Sequence, residues 1–216
     1  MQVEVRGGGL PGKLSHHTSC VYGKRMFLYG GNRPSGEINS ELYYYDTVSQ
    51  KWEVMKARGT KPGPLDEHSA VMRENGTMYI FGGFNGNGEL TNDLFAYSTR
   101  ESYWTRVDPV SDDLPRPRAG HASVIYKDKL FIFGGKASDA KRLNDTWAFD
   151  LKLNVWEQVV TGSIAELEEY TPMTRSGAVT ILHKSKMFIY GGIHNVLQEL
   201  DDLSCLDFEQ KKWYQI

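Results

Sequence analysis

Cysteine is nearly absent. Cys20 and Cys205 are the only two in 216 residues, too few for a disulfide framework, and a reduced cytosolic setting accounts for both. Eight prolines, with 40% apolar and 24% charged residues, exclude collagen-like and disordered compositions. Long apolar runs are missing as well, and nothing approaches the roughly 18 consecutive apolar residues of a membrane helix. There is no excess of positive charge: 25 basic side chains nearly cancel 27 acidic ones. No global field would gather phosphates, so a nucleic-acid partner is not expected. The start, Met1-Gln2-Val3-Glu4-Val5-Arg6 and then Gly7-Gly8-Gly9, has neither the apolar core of a secretory signal nor the Arg/Ser-rich pattern of a transit peptide. The expectation is a soluble, cytoplasmic chain with no membrane contact.

Glycine and aromatic residues are plentiful: 22 Gly, 12 Tyr, 9 Phe and 5 Trp favour turns and pleated surfaces, hence an all-β fold. They recur in register. The diglycines Gly30-Gly31, Gly82-Gly83, Gly134-Gly135 and Gly191-Gly192 are spaced by 52, 52 and 57 residues. Each follows an apolar run: Met26-Phe27-Leu28-Tyr29, Met78-Tyr79-Ile80-Phe81, Leu130-Phe131-Ile132-Phe133 and Met187-Phe188-Ile189-Tyr190. Trp52, Trp104, Trp156 and Trp213 each fall 21 residues after the second glycine. Between these landmarks lie Glu41-Leu42-Tyr43, Asp93-Leu94-Phe95, Asp145-Thr146-Trp147 and Asp202-Leu203-Ser204, alternating as half-buried strands do. A shorter strand opens each period at His17, His68, His121 and, without the His, at Gly177. The residues after each Trp complete four strands per period.

This pattern resembles the kelch repeat, and the resemblance covers essentially the whole chain. It implies a β-propeller of four-stranded antiparallel blades packed face to face. The expected division is 1–14 as the outer strand and exit loop of a preceding blade, then blades at 15–66, 67–118, 119–173 and 174–216. Four blades with one surplus N-terminal strand suggest part of a larger ring, completed by additional blades or another chain; the alternative is a self-closed four-bladed ring that uses the N-terminal strand as a fastener on the last blade. The diglycines and Trp52, Trp104 and their equivalents then serve architecture, the glycines through backbone angles a side chain would block and the indoles by filling wedges between blades. The fourth repeat departs most, with Ser204 in place of an aromatic residue. Its five extra residues fall in the stretch from Thr161 to Thr174, where Glu166, Glu168 and Glu169 predict an exposed acidic loop.

No catalytic, cofactor or metal site is expected. His17, His68 and His121 occupy equivalent positions on different blades, which repetition explains without an ion. Glu67 beside His68 does not supply the Glu/Asp/His spacing of the iron-dependent kelch proteins. Gly82 to Gly88 is glycine-rich but lacks the Lys-Ser/Thr ending of a phosphate loop. What remains is recognition by the loops at one rim of a propeller: Arg33, Phe84, Asn85, Arg118, Lys136, Arg175 and His194 are the candidate contacts. Arg forks grip carboxylates and aromatic faces add desolvated area. The resemblance implies a non-catalytic module binding a protein or peptide, with an acidic segment as the favoured ligand, as in a signalling scaffold or a ubiquitin-ligase substrate adaptor. The alternatives are a propeller-type enzyme or metal-dependent protein, and a structural arm of a larger assembly.

Overall fold

The apolar runs before the diglycines are the second strands of four antiparallel sheets in a computed structural model that describes residues 9–159 and 170–216. Blade 1 holds Thr18–Tyr22, Arg25–Tyr29, Leu42–Asp46 and Lys51–Val54, paired in chain order. Blade 2 holds Ser69–Met72, Thr77–Phe81, Leu94–Ser98 and Tyr103–Val107; blade 3 holds Ala122–Tyr126, Lys129–Lys136, Arg142–Asp150 and Val155–Gln158. Blade 4 holds Val179–His183, Lys186–Tyr190, Leu203–Asp207 and Lys212–Gln215. No helix is found among the described residues. The fourth strand of each blade contains its Trp, where the sequence had placed that strand after it. Blade 2 has a fifth member, because Arg58–Gly59 from the preceding connection pairs in parallel with Tyr103 and Trp104.

The chain divides into two compact units, Met1–Val107 with blades 1 and 2 and Asp108–Ile216 with blades 3 and 4. In the first unit Trp104 of blade 2 lies 5.5 Å from the Tyr29 ring of blade 1 and 4.8 Å from its own cross-strand partner Tyr97. Phe27, Leu42, Met78, Ile80 and Phe95 complete that core. In the second unit Trp213 of blade 4 lies 4.8 Å from Phe133 of blade 3, among Val124, Phe131, Met187, Ile189 and Leu206. One face of a sheet cannot stay dry alone, and within each unit the facing blade supplies the cover.

The second glycine of each pair sits against the residue just before the first strand. At Gly31, with φ +88°, a Cβ would stand 2.8 Å from the Cβ of His17, so neither the conformation nor the space admits a side chain. The same contact places Ala178, at 3.2 Å from a Cβ on Gly192, in the column of His17, His68 and His121. Pairing agrees, since Ala122 opposes Phe133 and Val179 opposes Tyr190. The sequence had set Gly177 in that column; the structure moves it one residue back, to the place of Gly120. Val3 and Val5 of the surplus strand, and Glu166, Glu168 and Glu169 of the acidic loop, lie outside the described residues.

Candidate functional site

The loops that leave the diglycines hold their conformation through their own polar side chains. In the first unit Arg33 donates to the Pro11 carbonyl at 2.9 Å and reaches Asn39 Oδ1 and Tyr43 OH at 3.3 and 3.4 Å, which leaves it only partly exposed. Phe84 and Asn85 form a short strand paired with Leu65–Asp66, and both are half-buried. Asn85 Oδ1 accepts from the backbone amides of Asn87 and Glu89 at 2.9 and 3.0 Å, fixing the loop tip. Asn85 also lines a cleft of about 460 Å³ with Pro64, Asn87, Thr91 and Phe95. Phe84 and Asn85 thus share one short strand beside that cleft, while Arg33 is largely engaged by its own neighbours.

The second unit corrects two expectations. Arg118 and Arg175 are not presented to solvent: they are 0% and 1% exposed. Each guanidinium forks onto a carboxylate, Arg118 onto Asp145 at 2.8 and 2.9 Å and Arg175 onto Asp202 at 2.7 and 2.8 Å. Each also donates to the carbonyl of the first glycine of its pair, Gly134 at 2.9 Å and Gly191 at 3.1 Å. The physical reason is the packing of the loop: the side chain turns inward, and only a fully hydrogen-bonded partner makes that burial tolerable. Trp147 Nε1 completes Asp145 at 2.8 Å. In the fourth repeat, where Ser replaces that Trp, Ser204 Oγ donates to Asp202 Oδ2 at 2.9 Å and lies 2.6 Å from the hydroxyl of Tyr170, which reaches the same oxygen at 3.3 Å. Burial pushes the Asp145 carboxyl up, but Arg118 and Trp147 outweigh it and hold it below its ordinary value. Hydrogen bonds from Arg175 do the same for Asp202, against the opposing effect of burial.

Lys136 is half-buried and bridged through its backbone to Ala119. His194 is also half-buried, its Nδ1 2.8 Å from both the hydroxyl and the carbonyl of Thr174. Next to it lies a feature that the sequence pattern does not mark. Ile193–Asn195 and Gln198–Glu199 form a hairpin whose tip, Val196-Leu197, is 88% and 94% exposed. Asn195 Oδ1 caps the turn by accepting from Leu197 N at 3.0 Å. Asp145 and Asp202, the partners of the arginines, do carry a sequence signal: both lie ten residues beyond the second glycine of their repeats.

The reactive groups are quiet. Burial pushes the Cys20 thiol up to about 12 and raises that of Cys205, so neither is a ready thiolate. Burial, and then the charge of His17, push His68 down to about 3; its Nε2 lies 2.6 Å from Thr18 Oγ1. His16, Asp66 and Glu67 bring one ligand atom each within 4.8 Å of one another. This trio is not the histidine column considered from the sequence.

Among the described residues, blade 4 exposes apolar side chains on one face. On blade 3 Ala122, Val124 and Phe133 are buried. At the same ladder positions of blade 4, Val179, Ile181 and Tyr190 are 66%, 65% and 50% exposed.

Repeated four-stranded blades with paired glycines at the end of the second strand and an indole on the fourth define a β-propeller repeat protein. The chain belongs to the kelch-repeat family, matching the KLHDC2/KLHL20/DRC7 Kelch-repeats domain over residues 16–216. Among curated relatives it is 32% identical over 211 residues to the leucine-zipper-like transcriptional regulator 1 homolog of Drosophila melanogaster, covering 94% of this chain and 20% of that protein. It is 28% identical over 222 residues to host cell factor 2 of Homo sapiens, covering 95% and 27%. Kelch domain-containing protein 3 of Rattus norvegicus is 28% identical over 195 residues, covering 86% and 49%. The chain thus spans half or less of the length of these relatives. No helix of the described residues is long and apolar enough to cross a membrane.

Proposed function

We propose that this chain is a non-catalytic protein-interaction module of the cytoplasm, with repeats 15–66, 67–118, 119–173 and 174–216 as its blades and the loops after the diglycines as its binding surface. The observation that carries this reading is the Val196-Leu197 tip. A capped hairpin that holds two large apolar side chains in water is the geometry of an anchor, because their burial is left for a partner to supply. Lys136, in the corresponding loop of blade 3, adds a polar contact of the kind a peptide with acidic residues uses; Phe84 and Asn85 are a separate candidate contact of the first unit taken by itself. A scaffold or adaptor role follows if such a partner is carried to a second protein. The two free, buried cysteines suit a reducing compartment.

The test is capture of partners by the wild type and by a Val196→Ser/Leu197→Ser variant. The variant is expected to melt as the wild type does and to lose the proteins the wild type retains, by about tenfold or more, since each anchor contributes about 1.5–3 kcal/mol when fully buried. Equal recovery of the same partners sinks the rim-loop reading. The enzyme or metal-dependent alternative has the His16–Asp66–Glu67 trio in its favour, and a stoichiometric transition metal in purified protein would revive it.

A second reading, compatible with the first, concerns the exposed apolar side chains of blade 4. We infer that a further blade or another chain covers Val179, Ile181 and Tyr190, completing the ring as blade 4 covers blade 3. The isolated chain should then bind an apolar fluorescent dye and self-associate in sedimentation, and Ile181→Lys/Tyr190→Lys should reduce both. A monodisperse wild type that binds no dye would overturn this.

A further inference from the structure

At the end of blades 3 and 4 away from the diglycines, a cleft of about 550 Å³ opens between them. Its apolar wall is Phe131, Val159, Leu206 and Phe208. A ladder position explains the wall. Opposite Phe27 in blade 1 stands Tyr44, whose ring lies under the Arg25 guanidinium at 4.7 Å and whose hydroxyl donates to Glu53. Opposite Phe131 in blade 3 the same position is Ala148. Lys129 and Glu157, in the places of Arg25 and Glu53, pair directly with each other. With no phenol beside it, the Phe131 ring meets Phe208 instead, centroids 4.1 Å apart, and Phe208 stacks on Tyr126 at 4.9 Å and 13°. The aromatic surface so made faces an open cleft of the volume that small ligands and single side chains occupy.

The charges around it are unevenly matched. Glu157 holds Lys129 and Asp128 holds Lys152. Asp150 Oδ1 accepts from the backbone amides of Lys152 and Leu153 at 2.9 and 3.0 Å. That leaves Lys127 and Lys211, both exposed and both lining the cleft, with no carboxylate in salt-bridge distance among the described residues. Lys127 rests 5.0 Å over the Tyr126 ring. With Asp150 also in the lining, four lysines face three carboxylates; a surplus of one positive charge is too little to hold a nucleic-acid backbone, but Lys127 and Lys211, without carboxylate partners of their own, can each meet a carboxylate of a short acidic segment.

We propose that this cleft is a second peptide site, distinct from the rim loops, and that its ligand is an acidic segment carrying one aromatic side chain. The ring packs against Phe131 and Phe208, while the flanking carboxylates meet Lys127 and Lys211. The site stands independently of the rim-loop reading, because it shares no residue with those loops.

Fluorescence anisotropy tests it with a labelled, end-capped Asp-Glu-Phe-Asp-Glu peptide. Saturable binding is expected, weaker by about tenfold or more when Gly replaces the Phe, since the buried ring is lost. The Lys127→Glu/Lys211→Glu variant should weaken binding by a similar factor and remove its salt dependence. Val159→Trp, which fills the cleft, should abolish it, while Val196→Ser/Leu197→Ser should leave it unchanged. Melting temperatures report whether each variant is folded. No saturable binding by the wild type, equal binding by the charge-reversed variant, or equal binding of a Lys-Arg-Phe-Arg-Lys peptide would each overturn the proposal.

Discussion

Asp145→Ala is expected to destabilise the second unit by about 3–5 kcal/mol, measured by urea unfolding, because it strands a guanidinium that is wholly buried. Arg118 would keep its bonds to the Arg116 and Gly134 carbonyls at 3.1 and 2.9 Å but lose both bonds to a counter-charge. The double variant Arg118→Leu/Asp145→Leu should recover much of the loss. Blade 2 shows that an apolar residue suits this position, for Leu65 stands there, buried, three residues before His68 as Arg118 stands three before His121. If the single and double variants unfold alike, the cost lies in cavity and shape and not in the unpaired charge. Acid probes the same bonds. Both Asp145 and Asp202 are held below the ordinary carboxylate value of about 3.9, so their contribution is complete above that pH and is lost as pH falls through the lower folded-state values. Wild type and Asp145→Ala should therefore differ most near neutrality and converge in strong acid.

Trp104→Ala is the second large effect, about 3–5 kcal/mol in the unfolding of the first unit. The indole is 1% exposed and contacts aromatic rings of two blades, Tyr29 and Tyr97. Its removal leaves a void between sheets that cannot close without moving a strand. Trp52 is the internal control. It is only half-buried, with Tyr45 at 5.4 Å as its ring neighbour, and its truncation should cost clearly less. A near-neutral Trp104→Ala would show that the indole does not hold the two blades together.

The strands were legible because their landmarks are steric. A diglycine against the residue just before a first strand, and an indole filling a wedge, tolerate few substitutes, so the period shows in the letters themselves. The one-residue error at Gly177 arose where the landmark failed: Ala178 stands in the histidine column, and the neighbouring glycine drew the alignment. The binding surface was less legible because a charge on a loop looks the same whether it faces water or turns inward. Arg118 and Arg175 resembled ligand-gripping arginines, and only the distance to Asp145 and Asp202, 27 residues on, shows where they are engaged. A comparison of columns across repeats could have found them, because Arg and Asp occur together in the third and fourth repeats. Val196-Leu197 left no such trace, since exposure of an apolar pair depends on a turn that sequence patterning does not fix.

The short parallel pairing of Arg58–Gly59 with the last strand of blade 2 carries a consequence for synthesis on the ribosome. Arg58 N donates to the Ser102 carbonyl and Thr60 N to the Trp104 carbonyl, at 2.9 and 3.1 Å, so this link occupies a row of groups that would otherwise recruit a strand from another molecule. The link is translated more than forty residues before the strand it shields. When that strand leaves the exit tunnel its guard is already waiting, and blade 2 need not offer this border to its neighbours on a polysome.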